Sequence, residues 1–199
     1  MADPLKDYRR RRASGKTPEP MGGRASRKGP IFVVQEHKAT SHHFDFRLEV
    51  DGVLRSWAVP KGPSTDPRDK RLAMPTEDHP LDYADFEGVI PEDSYGAGAV
   101  IVWDRGRYDN ITEKDGRTQP IADALAAGHA LVRLHGRKLQ GGFVLQQVGQ
   151  GDDARWLLIK MKGEGSDARR RPVSTEPESV LSGRTVDAVE NTNRERPER

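Results

Sequence analysis

Between Glu36 and Gly52 the chain reads EHKATSHHFDFRLEVDG, and three of its six histidines fall inside that stretch. If Phe44–Val50 is a strand, successive side chains alternate between faces. His43, Asp45, Arg47 and Glu49 then share one face; His42, Phe44, Phe46, Leu48 and Val50 share the other. The second set is an ordinary half-buried apolar face. The first differs from a wet face rich in Lys, Glu and Thr: a His-x-Asp-x-Arg row offers two kinds of metal ligand and a guanidinium fork matched to phosphate. His37 follows IFVVQE, where Val33, Gln35 and His37 share a face, and the loop KATSH can return it beside His43. His37, His43 and Asp45 would form a two-histidine, one-carboxylate set with open coordination positions. The competing interpretation is half-exposed histidines on an edge strand.

Other candidates are less specific. His42 points away from that set and is expected to pack or to hydrogen-bond. His79 lies in EDHPLDY, where Pro80 favours extended geometry, near Asp78, Asp82 and Tyr83. A general acid, a phosphate donor and a turn residue all fit there. Arg47, Lys61 after WAVP and Arg71 at the start of RLAM are candidate anion donors; Arg can clasp two oxygens where Lys supplies a point charge. His129 and His135 have no comparable neighbours. GAGAV lacks Walker spacing, and neither G-x-S-x-G nor H-E-x-x-H occurs. With no cysteine in 199 residues, disulfides, thiolate metal sites and a Cys nucleophile are excluded.

The elements that must position these residues are mostly strands. IFVVQ, Phe44–Val50, VLRSWAVP, RLAM, GAVIVWDRG, ALVRLHG, GGFVLQQVG and RWLLIKMKG are β-branched or aromatic runs separated by turn signals. Asp51-Gly52 sits between two of them as a two-residue hairpin turn. QPIADALAAG predicts a helix, with Pro120 near its start and Gly128 past its end. Strand spacing predicts a mostly-β chain, a barrel or a sandwich. The expected divisions are a flexible basic arm at 1–29, the barrel at 30–165, and a disordered polar tail at 166–199.

Charge is uneven beneath a net +2. Residues 1–30 carry nine Lys/Arg against three acids, including the run Arg9, Arg10, Arg11, Arg12, while residues 31–160 carry 16 basic and 20 acidic side chains. A basic arm on a mildly acidic body suggests a polyanionic partner, such as nucleic acid. No apolar run approaches the ~18 residues of a membrane span, and the N-terminus lacks an apolar signal region. An intracellular protein without membrane contact is expected.

FVVQEHKATSHHFDFRLEVDGVLRSWAVPKGPSTDPRDKRLAMPTEDHPLDYADFEGVIPEDSYGAGAVIVWDRG, followed by HGRKLQGGFVLQQV and RWLLIKMKG, resembles the 3′-phosphoesterase module of bacterial DNA ligase D. The resemblance extends to about residue 165, and YRRRRASGKTPEP is similar to the family's N-terminal arm. It implies a mostly-β fold, a compact β-barrel with a few short peripheral helices, and a divalent metal, typically manganese, at His37, His43 and Asp45. It also implies that Arg47, His79, Lys61, Arg71, Tyr83 and Gln35 surround the scissile phosphate. The implied activity removes a terminal ribonucleoside from a DNA 3′ end, then the remaining 3′-phosphate, leaving a 3′-hydroxyl. Implied partners are primer–template 3′ ends in non-homologous end joining, with Ku and a separate ligase or polymerase. The implied location is the cytoplasm, at the nucleoid. No ligase or polymerase segment is present, so a free-standing version is expected. Ala13 stands where the family's arm often has an acid, which puts the arm's contribution in question.

Two other classes fit some of the same residues. His43-x-Asp45 with distant His79 matches the facial triad of a non-haem Fe(II) oxygenase, although no clear anchor for an organic co-substrate is visible. A non-catalytic nucleic-acid or partner-binding module would use the same basic surface without turnover.

Overall fold

The computed structural model describes residues 3–12, 17–23, 29–149 and 154–194. Eight antiparallel strands close into a barrel in the order β1 (Ile31–Lys38), β2 (His42–Val50), β3 (Val53–Val59), β4 (Lys70–His79), β11 (Arg155–Lys160), β10 (Gln140–Val148), β9 (His129–Gly136) and β6 (Gly98–Asn110), with β6 pairing back to β1. Closure leaves the barrel no free sheet edge. A short β5 (Gly88–Ile90) adds to β6, and β7 (Glu113–Lys114) with β8 (Arg117–Thr118) makes a small separate hairpin. Four short helices lie outside: α1 (Lys6–Arg11), α2 (Ile121–Ala126), α3 (Pro172–Thr175) and α4 (Val186–Arg194). The barrel and the helix predicted after Pro120 both match the expectation. No helix among the described residues is long and apolar enough to cross a membrane.

Alternation on β1 and β2 builds two layers. Phe32, Val34, Phe44, Phe46 and Leu48 point inward and pack with Trp57, Trp103, Phe143 and Trp156. Val33 points outward, where a second cluster covers it: Tyr8 of α1, Leu54 of β3, Leu81, Tyr83 and Ala84 of a 3₁₀ turn (Leu81–Asp85), Phe86, Ile90, Val100 and Val102. The outward face of this hairpin is therefore enclosed. Asp51 and Gly52 both take positive φ, 50° and 81°, the geometry a two-residue turn needs to match strand twist. That turn fixes the β2–β3 register, Arg47 opposite Ser56.

Both ends are more built than composition suggested. Six residues are too few for an independent helix, yet Tyr8 is fully buried and its hydroxyl donates to the Pro20 carbonyl at 2.6 Å. In the tail, Val186 and Val189, one helical turn apart, pack on Ala99 and Ile101. Lys38 pairs there with Asp187 and Glu190 at 2.6 and 2.8 Å, and Trp103 donates to the Glu176 carbonyl at 2.9 Å. Residues 166–194 thus pack against the barrel in part through two valines and backbone hydrogen bonds despite their polar composition; the remainder of the tail expected to be disordered, 195–199, lies outside the described residues.

One buried carboxylate joins two strands. Asp104 accepts from the backbone N–H groups of Arg137, Lys138 and Leu139 at 3.0, 3.2 and 2.8 Å, closing the turn between β9 and β10. Asp104→Ala should orphan these donors and cost about 3 kcal/mol or more, roughly 6–12 °C in Tm. Thermal unfolding of the variant checks this, and an unchanged Tm contradicts it.

Candidate metal centre and phosphate pocket

The β1–β2 hairpin does what the loop KATSH suggested: it sets His37 directly opposite His43, and Gln35 opposite Asp45. The two imidazole centroids are 4.8 Å apart. His37 Nδ1 and His43 Nε2 lie 3.8 and 3.7 Å from Asp45 Oδ2. One ligand atom from each residue can be chosen with all three within 4.8 Å, so the group could hold a metal ion. Each histidine's other nitrogen faces a backbone carbonyl: His37 Nε2 at 2.9 Å from Gly96, His43 Nδ1 at 2.7 Å from Ser41. A ring N–H donated to that carbonyl leaves the opposite nitrogen bare toward Asp45, the arrangement that fixes tautomer and ring plane in metal sites. Burial holds the His37 pKa below the usual histidine value, which favours the neutral, ligating form. Gly98 lets the start of β6 lie close against the end of β1, because a Cβ there would lie 2.2 Å from the Lys38 carbonyl oxygen.

Arg47 sits two residues along the same face and is 2% exposed. Its Nε donates to Gln35 Oε1 at 2.9 Å, Nη1 to Ser56 Oγ at 2.7 Å, and Nη2 to Asp45 Oδ2 at 3.1 Å, while Nη1 also lies 2.9 Å from His79 Nδ1. Counting the His79 contact, four of the five N–H groups of a guanidinium have partners among the described residues, leaving one Nη2–H. The ring of Tyr83 lies beneath Arg47, 5.0 Å from ring centroid to Cζ.

His79 is 4% exposed and held well below the usual histidine pKa by burial, then by the Arg47 and Arg12 charges. It is neutral near pH 7. Nδ1 lies 2.8 Å from the Glu77 carbonyl as well as 2.9 Å from Arg47. A neutral ring satisfies one at a time: Nδ1–H donates to Glu77, or bare Nδ1 accepts from Arg47 and leaves Nε2–H for a ligand. Because the folded pKa of His37 and His79 is depressed, the unfolded chain binds more protons below about pH 6.5. The stability they contribute is complete above that pH and falls as pH drops toward the folded values. Metal-free protein should lose Tm between pH 7 and 5, with a shallower loss in His79→Gln; a Tm independent of pH over that range contradicts the assignment.

These side chains line a cavity of about 260 Å³ that also takes in Arg12, Glu77, Tyr83, Tyr95 and Gly96. Gln35 stands behind it as a strut: its Nε2 donates to the Tyr83 and Phe86 carbonyls at 2.9 and 3.0 Å, and its Oε1 receives Arg47. With its amide so engaged it positions Arg47 and does not present a free group to a ligand. The Tyr83 hydroxyl donates to Glu19 Oε1 at 3.0 Å, and burial, then the Glu19 charge, raises its pKa well above the ordinary value.

Lys61 and Arg71 are not brought into this cavity. They line a separate cleft of about 430 Å³ with Asp69 and Lys70, and Arg71 Nη2 donates to Asp69 Oδ2 at 2.8 Å. Arg71 lies at the opposite end of β4 from His79, eight residues or roughly 26 Å along an extended strand, and pairs there with Leu158 of β11. Nor does the arm present four outward arginines. Arg9 pairs with Asp3 and Arg10 with Asp7, while Arg11 reaches Glu77 and the Tyr95 hydroxyl. Arg12 is 5% exposed, bridges Glu19 and Glu77 at 2.8 and 3.3 Å, and caps the Tyr8 ring. Arg12 is a wall of the cavity, held there because Tyr8 pins α1 against His79 and Tyr83. Ala13 lies outside the described residues.

His42 points away as predicted, with Nε2 2.8 Å from Glu36 Oε1. The oxygenase set with His79 as third ligand is not assembled: the ligand group found among the described residues is His37, His43 and Asp45. Sequence reasoning missed Glu19, Glu77, Tyr8, Ser56 and Tyr95. Glu77 had a signal, since it shares strand parity with His79; Glu19, between two prolines, had none.

The DNA Ligase D 3′-phosphoesterase domain model matches residues 35–147. A multifunctional non-homologous end joining protein LigD of Pseudomonas aeruginosa is 48% identical over 190 residues, covering 92% of this chain and 22% of the relative. A LigD of Mycobacterium tuberculosis is 46% identical over 166 residues, covering 82% and 20%, and one of Mycolicibacterium smegmatis is 41% identical over 167 residues, covering 82% and 21%. The chain therefore spans about a fifth of the length of these relatives. With matches of this extent, the chain belongs to the DNA ligase D 3′-phosphoesterase domain family.

Proposed function

We propose that the protein is a metal-dependent phosphoesterase that heals DNA 3′ ends for non-homologous end joining, removing 3′-terminal ribonucleosides and 3′-phosphates to leave a 3′-hydroxyl. The observation that carries this reading is the juxtaposition of His37, His43 and Asp45 with buried Arg47 in one cavity. Family membership and the end-joining relatives support it.

The donor set fits a divalent cation, here manganese: two imidazole nitrogens with hydrogen-bonded outer shells and one carboxylate. Such an ion, when bound, supplies Lewis-acid polarisation of a phosphoryl oxygen and an ionised water. The chain's own groups do the remainder. Arg47 offers the phosphate a fixed positive charge and one N–H; its other bonds hold it in place, so it need not reorganise as charge develops. His79, neutral, donates from Nε2 toward the leaving oxygen when Nδ1 accepts from Arg47. Gln35, Tyr83 and Ser56 position Arg47. Arg12 adds charge to the cavity wall, and exposed Arg9 and Arg10 contact the duplex backbone without reading sequence. Lys61 and Arg71, which line a separate cleft with Asp69 and Lys70, hold another phosphate of the same strand. Ku and a separate ligase or polymerase are the partners this product would serve.

The test is an end-trimming assay on primer–templates ending in one ribonucleotide or in a 3′-phosphate. Manganese-dependent conversion to 3′-hydroxyl, stopped by EDTA, is the expected result. Tight duplex binding without turnover would replace this reading with a non-catalytic module.

A further inference from the structure

The chain has five Phe, three Trp and four Tyr. Eleven of these rings belong to residues 9% exposed or less; Tyr95 is 52% exposed. It stands on the lip of the cavity that holds the metal-ligand group. Its backbone is tightly placed: Ser94 N–H donates to the Pro91 carbonyl at 3.0 Å and Ala97 N–H to that of Ser94 at 3.2 Å. The next residue, Gly96, has its carbonyl 2.9 Å from His37 Nε2. Arg11 Cζ lies 4.5 Å from the Tyr95 ring centroid, and its Nη1 contacts both the Tyr95 hydroxyl and Glu77, fixing the ring from the arm side. An exposed aromatic ring on a constrained turn, one residue from a metal-ligand contact, is within one nucleoside of any phosphate held at His37, His43, Asp45 and Arg47.

We infer that Tyr95 is the platform on which the 3′-terminal nucleoside stacks while its phosphate occupies the cavity. This rests on the phosphoesterase reading for the identity of the substrate. Stacking suits a trimming site, because every base has a π-face and none need be selected by its hydrogen-bonding edge. The platform also distinguishes the two substrates: a terminal ribonucleoside has a base to stack, whereas a 3′-phosphate end has none beyond the cavity.

The test is fluorescence anisotropy in EDTA, with primer–templates identical except for the last 3′ residue, an adenosine or a base-free ribose analogue. Wild-type protein should bind the adenosine end about 5- to 150-fold more tightly than the base-free end, the range expected for one stacked base. Tyr95→Ala should bring that ratio close to one, and Tyr95→Phe, which keeps the ring, should preserve it. A wild-type ratio near one overturns the inference. So does a Tyr95→Ala protein that weakens both ends equally, the signature of a tether for Arg11 and nothing more. Turnover is scored separately with manganese: wild-type protein that turns over neither end but keeps a Tyr95-dependent ratio removes the esterase reading and supports the platform.

Discussion

Replacing His43 by alanine is expected to remove manganese binding and turnover together while leaving the barrel folded. His43 supplies one of the three ligand groups clustered among the described residues, and its Nε2 lies 3.7 Å from Asp45 Oδ2. Loss of an outer-shell partner alone costs about 10–100-fold in metal affinity, so loss of a ligand should exceed that. The side chain is 21% exposed and its inward-pointing neighbour Phe44 is untouched, so no core contact is lost. Manganese titration followed by electron paramagnetic resonance, alongside the trimming assay, reads both effects. Unchanged metal affinity with lost turnover would move the ion to other residues.

Arg47→Ala should lower kcat/KM by about 10²–10³, the usual effect of removing a preorganised donor from a developing oxyanion. A second effect is expected in the same variant. Arg47 is the common partner of Gln35, Ser56 and Asp45, all buried, and breaking a buried ion pair typically costs ~3–5 kcal/mol. Arg47→Lys separates the two. An ammonium restores charge beside Asp45 but cannot reach all four partners in a planar fork, so stability should recover more than rate. Urea denaturation and steady-state kinetics on both variants check this. Full recovery of rate with lysine would show that charge alone is required and that the fork geometry is not.

The central row of the site was legible because it obeys a local rule. Positions 43, 45 and 47 alternate with apolar 44, 46 and 48, and strand parity carries that into space without further information. His37 needed one more step, a short loop and an antiparallel return, and the observed register pairs it with His43. What parity could not reveal was the cover. Tyr83 meets Glu19 across 64 positions, and Arg11 meets Tyr95 across 84; such contacts exist only once α1 lies over the barrel wall. The arm looked like a solvated polycation because its pattern is largely polar, while the buried side chains of Leu5, Tyr8 and Arg12 anchor it. Lys61 and Arg71 show the converse: residue type fitted the chemistry, but the turn after β3 and the start of β4 place them in a separate cleft.

The most direct test of a metal centre beside a phosphate-binding arginine is a crystal of the protein soaked with manganese and inorganic phosphate, measured for anomalous scattering. The account predicts a single strong peak in contact with His37, His43 and Asp45, with phosphate density between that ion and Arg47. A peak elsewhere, or none at those three residues under saturating manganese, would contradict it.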